Sequence, residues 1–345
     1  MNLFAMMEQR RRSVLLAASK LLTAHRSLPT VFVFLLAAHC LLPTASAQSP
    51  EPIDVVKIDT DLVNLNVSVF NHKSRNLTTL EQKDFAVLDN GAPQEISFFA
   101  SGESLFDLVL LLDLSGSTAK KIDVIRKSAK RFVDATRPTD RIAVVTFTAE
   151  VQTIAKFTSD REALKQSIDG IEKPGGGTNF WDALMFVLDH LTIQSRLERR
   201  RSAVVVMTDG VDNALPDVYG DGSKITFDQL IEKVRRLDTI VVPVCLDTER
   251  EANHSNTPLG AYSLAREQLA MLASESGNIV YPAAKLKDLD KAYAQVIRDL
   301  STVYSIGYRP ASRARDGAWH NVTLRLIDHP DLEVRTRRGY YETRN

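Results

Sequence analysis

The segment Asp113-Leu114-Ser115-Gly116-Ser117 carries a carboxylate and two hydroxyls at alternate positions. It follows an apolar run, residues 108–112, and precedes a helical pattern that begins near Ala119. Oxygen donors on the turn between a buried strand and a helix suit a hard cation. Two further segments complete such a cup: Gly175-Gly176-Gly177-Thr178-Asn179 and Thr208-Asp209-Gly210. With no His or Cys nearby, the donors favour Mg2+, with Mn2+ or Ca2+ as alternatives, over zinc. Ser115, Ser117 and Thr178 are the expected direct ligands, and Asp113 and Asp209 supply charge directly or through water. A dication held mostly by neutral donors stays electrophilic toward one more anionic oxygen, which an Asp or Glu of a protein partner can supply. Each piece alone also reads as a helix cap or a turn. Only the three together, each at a strand end, favour a metal.

These loops converge only if the right elements position them. From Phe106 onward, apolar runs alternate with amphipathic patterns. The candidate buried strands are residues 108–112, 142–147, 203–207, 240–246 and a short 278–281. Between them, Ile122, Ile125, Ala129, Phe132 and Val133 share one helical face, and Phe180, Leu184, Val187 and Leu188 another. Leu230, Ile231 and Val234, then Leu264, Leu269 and Leu272, then Leu289, Tyr293 and Ile297 repeat the pattern. The expected fold is α/β: a doubly wound, Rossmann-like, mostly parallel sheet covered on both faces. Ligands gather there at the carboxyl ends of strands where strand order reverses. The strands ending at Asp113 and Asp209 should therefore be central neighbours.

The two ends of the chain have another texture. Residues 62–69 and 94–99 alternate at period two around the hairpin signal Asp89-Asn90-Gly91, and residues 304–308 and 320–326 do the same. Each end alone is too short for a robust core. The expectation is one small all-β sandwich formed by the N- and C-terminal segments, with the α/β domain inserted. The expected boundaries are 1–47 for an export leader, 48–104 and 304–345 for the β segments, and 105–303 for the α/β domain.

The leader has Arg10-Arg11-Arg12 and Arg26, an apolar stretch over 31–42, and Ala45-Ser46-Ala47 as a cleavage pattern. Its apolar stretch is well short of the ~20 residues that span a bilayer. The expected location is therefore periplasmic or secreted, with no stable membrane span after cleavage and an uncleaved anchor as the alternative. Cleavage leaves Cys245 alone, so no internal disulfide forms. The 345 residues balance 43 basic against 43 acidic groups, and removing the leader leaves a slight acidic excess. That argues against a nucleic-acid partner, which requires a basic face.

Asp113-x-Ser115-x-Ser117, Thr178 and Thr208-Asp209-Gly210 resemble the metal-ion-dependent adhesion site of von Willebrand factor type A domains. The flanks are similar to the bacterial VWFA-related group best known from acidobacteria. There Lys83-Asp84-Phe85-Ala86-Val87-Leu88-Asp89-Asn90-Gly91 matches an opening motif, and Tyr304-Ser305-Ile306-Gly307-Tyr308 with Arg337-Arg338-Gly339-Tyr340-Tyr341 a closing one. The resemblance implies a metal-dependent binding domain. A departure is the longer stretch 213–223 beside the metal loops, where Asp217 and Asp221 read as a solvated loop or as a second cation site.

Catalytic patterns are missing. There is no His-Glu-x-x-His pair, no Gly-x-Ser-x-Gly elbow and no Gly-Lys-Ser/Thr phosphate loop. Trp181 is expected in the core, Arg199-Arg200-Arg201 as a solvated helix end, and Arg335, Arg337 and Arg338 as an exposed face. The expected function is an exported, non-catalytic protein-binding module that engages a partner carboxylate through the cation. A metal-dependent hydrolase is the rival, short of a recognisable general base, and a scaffold with an unfilled metal site is a third possibility.

Overall fold

The computed structural model describes residues 62–71, 80–101, 105–115, 122–172, 175–198, 200–249, 257–311 and 316–342. The leader, with its arginine run and cleavage pattern, and Ser117 lie outside these residues. In chain order, β1 (Val63–Asn71), β2 (Phe85–Asp89), β3 (Ala92–Gln94) and β4 (Ile96–Ala100) come first. The α/β stretch follows with β5 (Phe106–Asp113), α1 (Ile122–Ala135), β6 (Arg141–Phe147), β7 (Val151–Thr158), α2 (Arg161–Asp169), α3 (Phe180–His190) and α4 (Thr192–Leu197). It continues with β8 (Arg201–Thr208), α5 (Phe227–Arg235), β9 (Ile240–Leu246), α6 (Leu259–Glu275), β10 (Tyr281–Ala283) and α7 (Leu289–Leu300). The chain ends with β11 (Tyr304–Tyr308), β12 (Trp319–Leu326), β13 (Leu332–Arg335) and β14 (Gly339–Tyr341).

Every residue of β5 is buried. Because side chains alternate across a strand, Leu108, Leu110 and Leu112 join one apolar cluster while Val109 and Leu111 join the other. α1, α2 and α7 supply the first cluster through Ile125, Phe132, Ile168, Tyr293 and Val296. α3, α5 and α6 supply the second through Phe180, Leu184, Leu230, Val234 and Leu269. Each fully buried aliphatic side chain contributes roughly 1.5–3 kcal/mol, so a strand loaded on both faces is held at the centre. The sheet order is β10-β9-β8-β5-β6-β7, parallel except where β7 returns antiparallel to β6. β5 leads through α1 to β6 on one side, while β8 leads through α5 to β9 on the other. Strand order therefore reverses between β5 and β8, and the crevice expected of a doubly wound sheet lies where they end.

The flanking strands form two antiparallel four-stranded sheets, β13-β1-β11-β4 and β14-β12-β2-β3. β1 pairs with β11 and β13, and β2 with β12, so N-terminal and C-terminal segments share both sheets. Leu65, Val67, Phe85, Val87, Ile306, Tyr308 and Tyr340 fill the space between the sheets. Asp89 accepts hydrogen bonds from the hydroxyls of Tyr308 and Tyr340, each at 2.9 Å, and lies 2.8 Å from His320 Nδ1.

Some expectations change. β1 is buried on both faces, since Asn66 donates to the Asp238 carbonyl at 2.6 Å and its polar side packs toward the α/β unit. The last strand of the parallel sheet is Tyr281–Ala283 rather than 278–281, because Gly277, at φ +81°, and Asn278 form the preceding turn. β7 was not anticipated; it is a half-exposed edge strand with no continuous apolar run. The solvated reading of Arg199-Arg200-Arg201 is corrected at Arg200 and Arg201, and Arg199 lies outside the described residues. Arg200 Nε bonds the fully buried Asp107 at 2.5 Å, which also accepts from Arg141 and Ser195. Arg201 is buried, donates to Ser305 Oγ at 2.8 Å and to the Val303 carbonyl at 2.5 Å, and lies over the Phe106 ring. Arg335 is likewise half-buried, stacked over Phe70.

Candidate metal centre

Asp113 is the last residue of β5, and Thr208 the last of β8, its parallel neighbour. Leaving the sheet at this point, each strand turns on its own carboxylate. Asp113 Oδ1 accepts the Ser115 N–H at 2.9 Å, and Asp209 Oδ1 accepts the Val211 N–H at 3.0 Å. These Asx turns are the local habit of an Asp that leaves regular structure. The second oxygens reach across strands. Asp113 Oδ2 accepts the Thr208 hydroxyl at 2.7 Å, and Asp209 Oδ2 accepts the Thr248 hydroxyl at 2.7 Å. Thr208 in turn takes the Gly210 N–H at 2.8 Å. Gly210 is required there, since at φ +81° a Cβ would lie 2.9 Å from Leu269 of α6.

Thr178 arrives from the glycine loop before α3. Its N–H donates to Asn213 Oδ1 at 3.0 Å, and its carbonyl accepts from the Asn213 N–H at 2.9 Å. Asn179 binds the Thr148 and Ala149 carbonyls in the turn between β6 and β7. Asp113, Ser115, Thr178 and Asp209 are all buried. The chain thus brings these four residues to one end of the sheet, on loops hydrogen-bonded to one another; Ser117 lies outside the described residues.

Burial, and then the charge of Asp209, push the Asp113 carboxyl up to about 7. Two acids held close in a buried setting repel, and a dication between their loops would relieve that repulsion. The donor set is hydroxyl and carboxylate oxygen throughout, and it fits a hard divalent cation.

Three residues escaped the sequence reading. Thr248 braces Asp209; Asn213 positions Thr178; and Asp212, fully buried, accepts from the Trp181, Ala214 and Ser223 N–H groups and from the Ser223 hydroxyl. Asp212 therefore caps α3 from a distant loop, where the preceding Asn179 makes no cap bond. Asp182 continues the stitch by accepting from the Lys224 and Ile225 N–H groups. The stretch 213–223 is thus pinned to α3, and Asp217 and Asp221 point into solvent from it. Both acids are exposed, in keeping with a solvated loop. Trp181 is core, packed near Phe227. Burial pushes the Cys245 thiol up to about 11, so it is protonated at neutral pH.

A doubly wound sheet with an oxygen cup at its reversal point defines the class. The von Willebrand factor type A domain matches residues 107–295, more than half of the chain, and the chain belongs to this family. An uncharacterized protein of Borreliella burgdorferi is 25% identical over 154 residues, 42% of each chain, so the match spans less than half of that relative. Among solved structures, proximal thread matrix protein 1 from the mussel byssus, with a zinc-occupied MIDAS motif, is similar at TM-score 0.46 and 18% identity, over 61% of this chain and 50% of that one. The vWF domain of the type V pilus tip protein Mfa5 from Porphyromonas gingivalis is similar at TM-score 0.43 and 15% identity, over 56% of this chain and 94% of that one.

Proposed function

We propose that this chain is an exported, non-catalytic protein-binding module. In this reading Asp113, Ser115, Ser117, Thr178 and Asp209 hold a Mg2+ ion, or Mn2+ or Ca2+ in its place, and a partner's Asp or Glu carboxylate completes its coordination. The observation that carries the reading is the pair Asp113 and Asp209. These are buried acids at the reversal point of the sheet, braced by hydroxyls and backbone N–H groups, with Asp113 pushed up by burial and by its neighbour's charge. Mature type A domains commonly act as interaction modules, which agrees. When bound, the ion supplies a Lewis-acidic position for an anionic oxygen. The protein's part is to orient the hydroxyls, keep the acids desolvated and hold the loops together. Among the described residues no helix is long and apolar enough to cross a membrane.

The test is titration calorimetry with Mg2+, Mn2+ and Ca2+, followed by capture of envelope proteins with and without EDTA. The expected result is saturable binding of one ion per chain, and capture that EDTA removes. Both are lost in Asp113→Ala/Ser115→Ala while the circular dichroism spectrum stays unchanged. Capture that persists undiminished in EDTA overturns the reading, and metal-dependent turnover of a substrate panel favours a hydrolase instead.

A further inference from the structure

A second cavity, of about 300 Å3, opens where the sandwich meets the α/β unit. Three segments wall it: the turn from α6 into β10 with Ser274 and Asn278, β12 with Thr323 and Leu324, and the stretch between β13 and β14 with Arg335 and Arg338. That turn precedes β10, so the cavity lies at the amino end of the parallel strands, whereas the metal loops leave their carboxyl ends. Its walls are locked together. Gly277, at φ +81°, sits so near the Thr336 backbone that a Cβ would fall 2.4 Å from the Thr336 carbonyl carbon. Arg338 Nε donates to Ser274 Oγ at 3.1 Å.

Among the described residues no Asp or Glu lines this cavity. Glu275 lies nearby, but Arg235 holds both of its oxygens, at 3.0 and 3.1 Å, while Arg338 Nη1 stays 3.8 Å away. Arg338 is therefore a surplus cation, its side chain 63% exposed. Arg335 gives only its Nε to Glu333. Asn278 is 3% exposed; its Oδ1 accepts the Ile279 N–H at 2.7 Å, and its Nδ2 donates to no group among the described residues. Thr323 and Ser274 add hydroxyls. A cation would meet Arg338 and find no carboxylate. An apolar group would cover Leu324 and strip water from the donors without replacing it. A carboxylate brings two oxygens, but a phosphate brings three or four, enough for two guanidinium groups, a carboxamide and a hydroxyl together. We propose that this cavity binds the phosphate of a phosphomonoester, with the organic remainder against Leu324. The site is independent of the metal and faces the other end of the sheet.

Inorganic phosphate is the first probe, titrated into the 15N-labelled full chain with EDTA present so that no cation carries it to the metal loops. Acetate at equal ionic strength is the control. Phosphate is expected to give saturable shifts of the amides of residues 274–278, 323–324 and 335–338, with acetate weaker by about tenfold or more. Arg338→Gln, a change at an exposed side chain, should weaken phosphate by about tenfold, as loss of a charge-assisted hydrogen bond does, and Arg338→Lys should recover part of it. Thr323→Val, on the exposed side of β12, leaves the charges alone and should weaken phosphate by about threefold. Shifts that do not saturate, equal binding of acetate, or phosphate binding that neither Arg338→Gln nor Thr323→Val changes overturns the site. Glycerol 3-phosphate, against glycerol, and phosphatidylcholine vesicles with and without phosphatidic acid then identify the source. Retention on phosphatidic acid vesicles that Arg338→Gln removes supports the site and assigns the phosphate to a lipid headgroup. Binding of glycerol 3-phosphate without vesicle retention supports it and assigns a soluble phosphomonoester. Glycerol 3-phosphate that binds no more tightly than glycerol overturns the assignment.

Discussion

Asp113 and Asp209 use their oxygens alike: one on the chain two residues ahead, the other on a threonine hydroxyl from a neighbouring segment. This bracing fixes the carboxylates before any ion arrives. Burial first, and Asp209 second, raise Asp113 from 3.8 to about 7. Between those values the folded chain binds a proton that the unfolded chain has released, so metal-free stability falls as pH rises through this window. A bound dication reverses the preference by favouring the ionised form. The metal-free chain should therefore melt at a lower temperature at pH 8 than at pH 5.5, and Mg2+ should raise the melting temperature more at pH 8. Asp113→Asn should flatten the first trend and abolish the second; a Mg2+ response that survives in this variant would put the ion elsewhere. Thr248→Val keeps the shape and removes only the hydroxyl on Asp209. Calorimetry should show Mg2+ affinity lower by roughly tenfold, the usual effect of losing a group that orients a ligand, with the fold retained.

At the scale of elements, the loop 210–225 and the start of α3 behave as one unit. Asp212 supplies the cap that Asn179 does not, and Asn213 joins Thr178 to the same loop. Asp212→Ala would leave a buried backbone N–H and the Ser223 hydroxyl without their acceptor. The expected loss is about 2–4 kcal/mol in urea unfolding, with faster amide hydrogen exchange confined to residues 210–225 and the first turn of α3. Unchanged exchange there would mean the loop is held by something else. Sequence reasoning marked 213–223 as unusual but looked to Asp217 and Asp221 for its meaning. The residues that matter, Asp212 and Asn213, look like ordinary turn polar residues, and their partners lie 31 and 35 positions away.

At the scale of the whole molecule, Asp89 on β2 joins the two sheets of the sandwich. Tyr308 comes from one sheet, and Tyr340 and His320 come from the other. Burial, with this carboxylate beside them, drives both tyrosine hydroxyls well above their ordinary range. Asp89→Ala removes the shared acceptor and should cost about 3 kcal/mol, read from chemical denaturation. Because β1 buries its polar face toward the α/β unit and Arg201 bonds Ser305, a single unfolding transition is expected. Two separated transitions would show that the sandwich and the α/β unit unfold independently.

By itself the sequence determined the parallel sheet and the identity of its central strands. Runs such as 108–112 and 203–207 are apolar on both faces, and only a strand covered by helices on each side satisfies them. It also determined that the strands of the two ends belong together, since period-two segments at each end lacked enough apolar surface for separate cores. Short-range patterning carries that information. The tertiary structure alone decided which polar groups meet. Thr248 with Asp209, Asp212 with α3, Arg200 with Asp107 and Arg201 with Ser305 are pairings across 39, 31, 93 and 104 positions. A hydrogen bond leaves no periodicity in the chain, and an arginine run reads the same whether its partner is water or a buried carboxylate. The cup at Asp113 could be read from residue types in order; what braces it depended on the way the chain is wound.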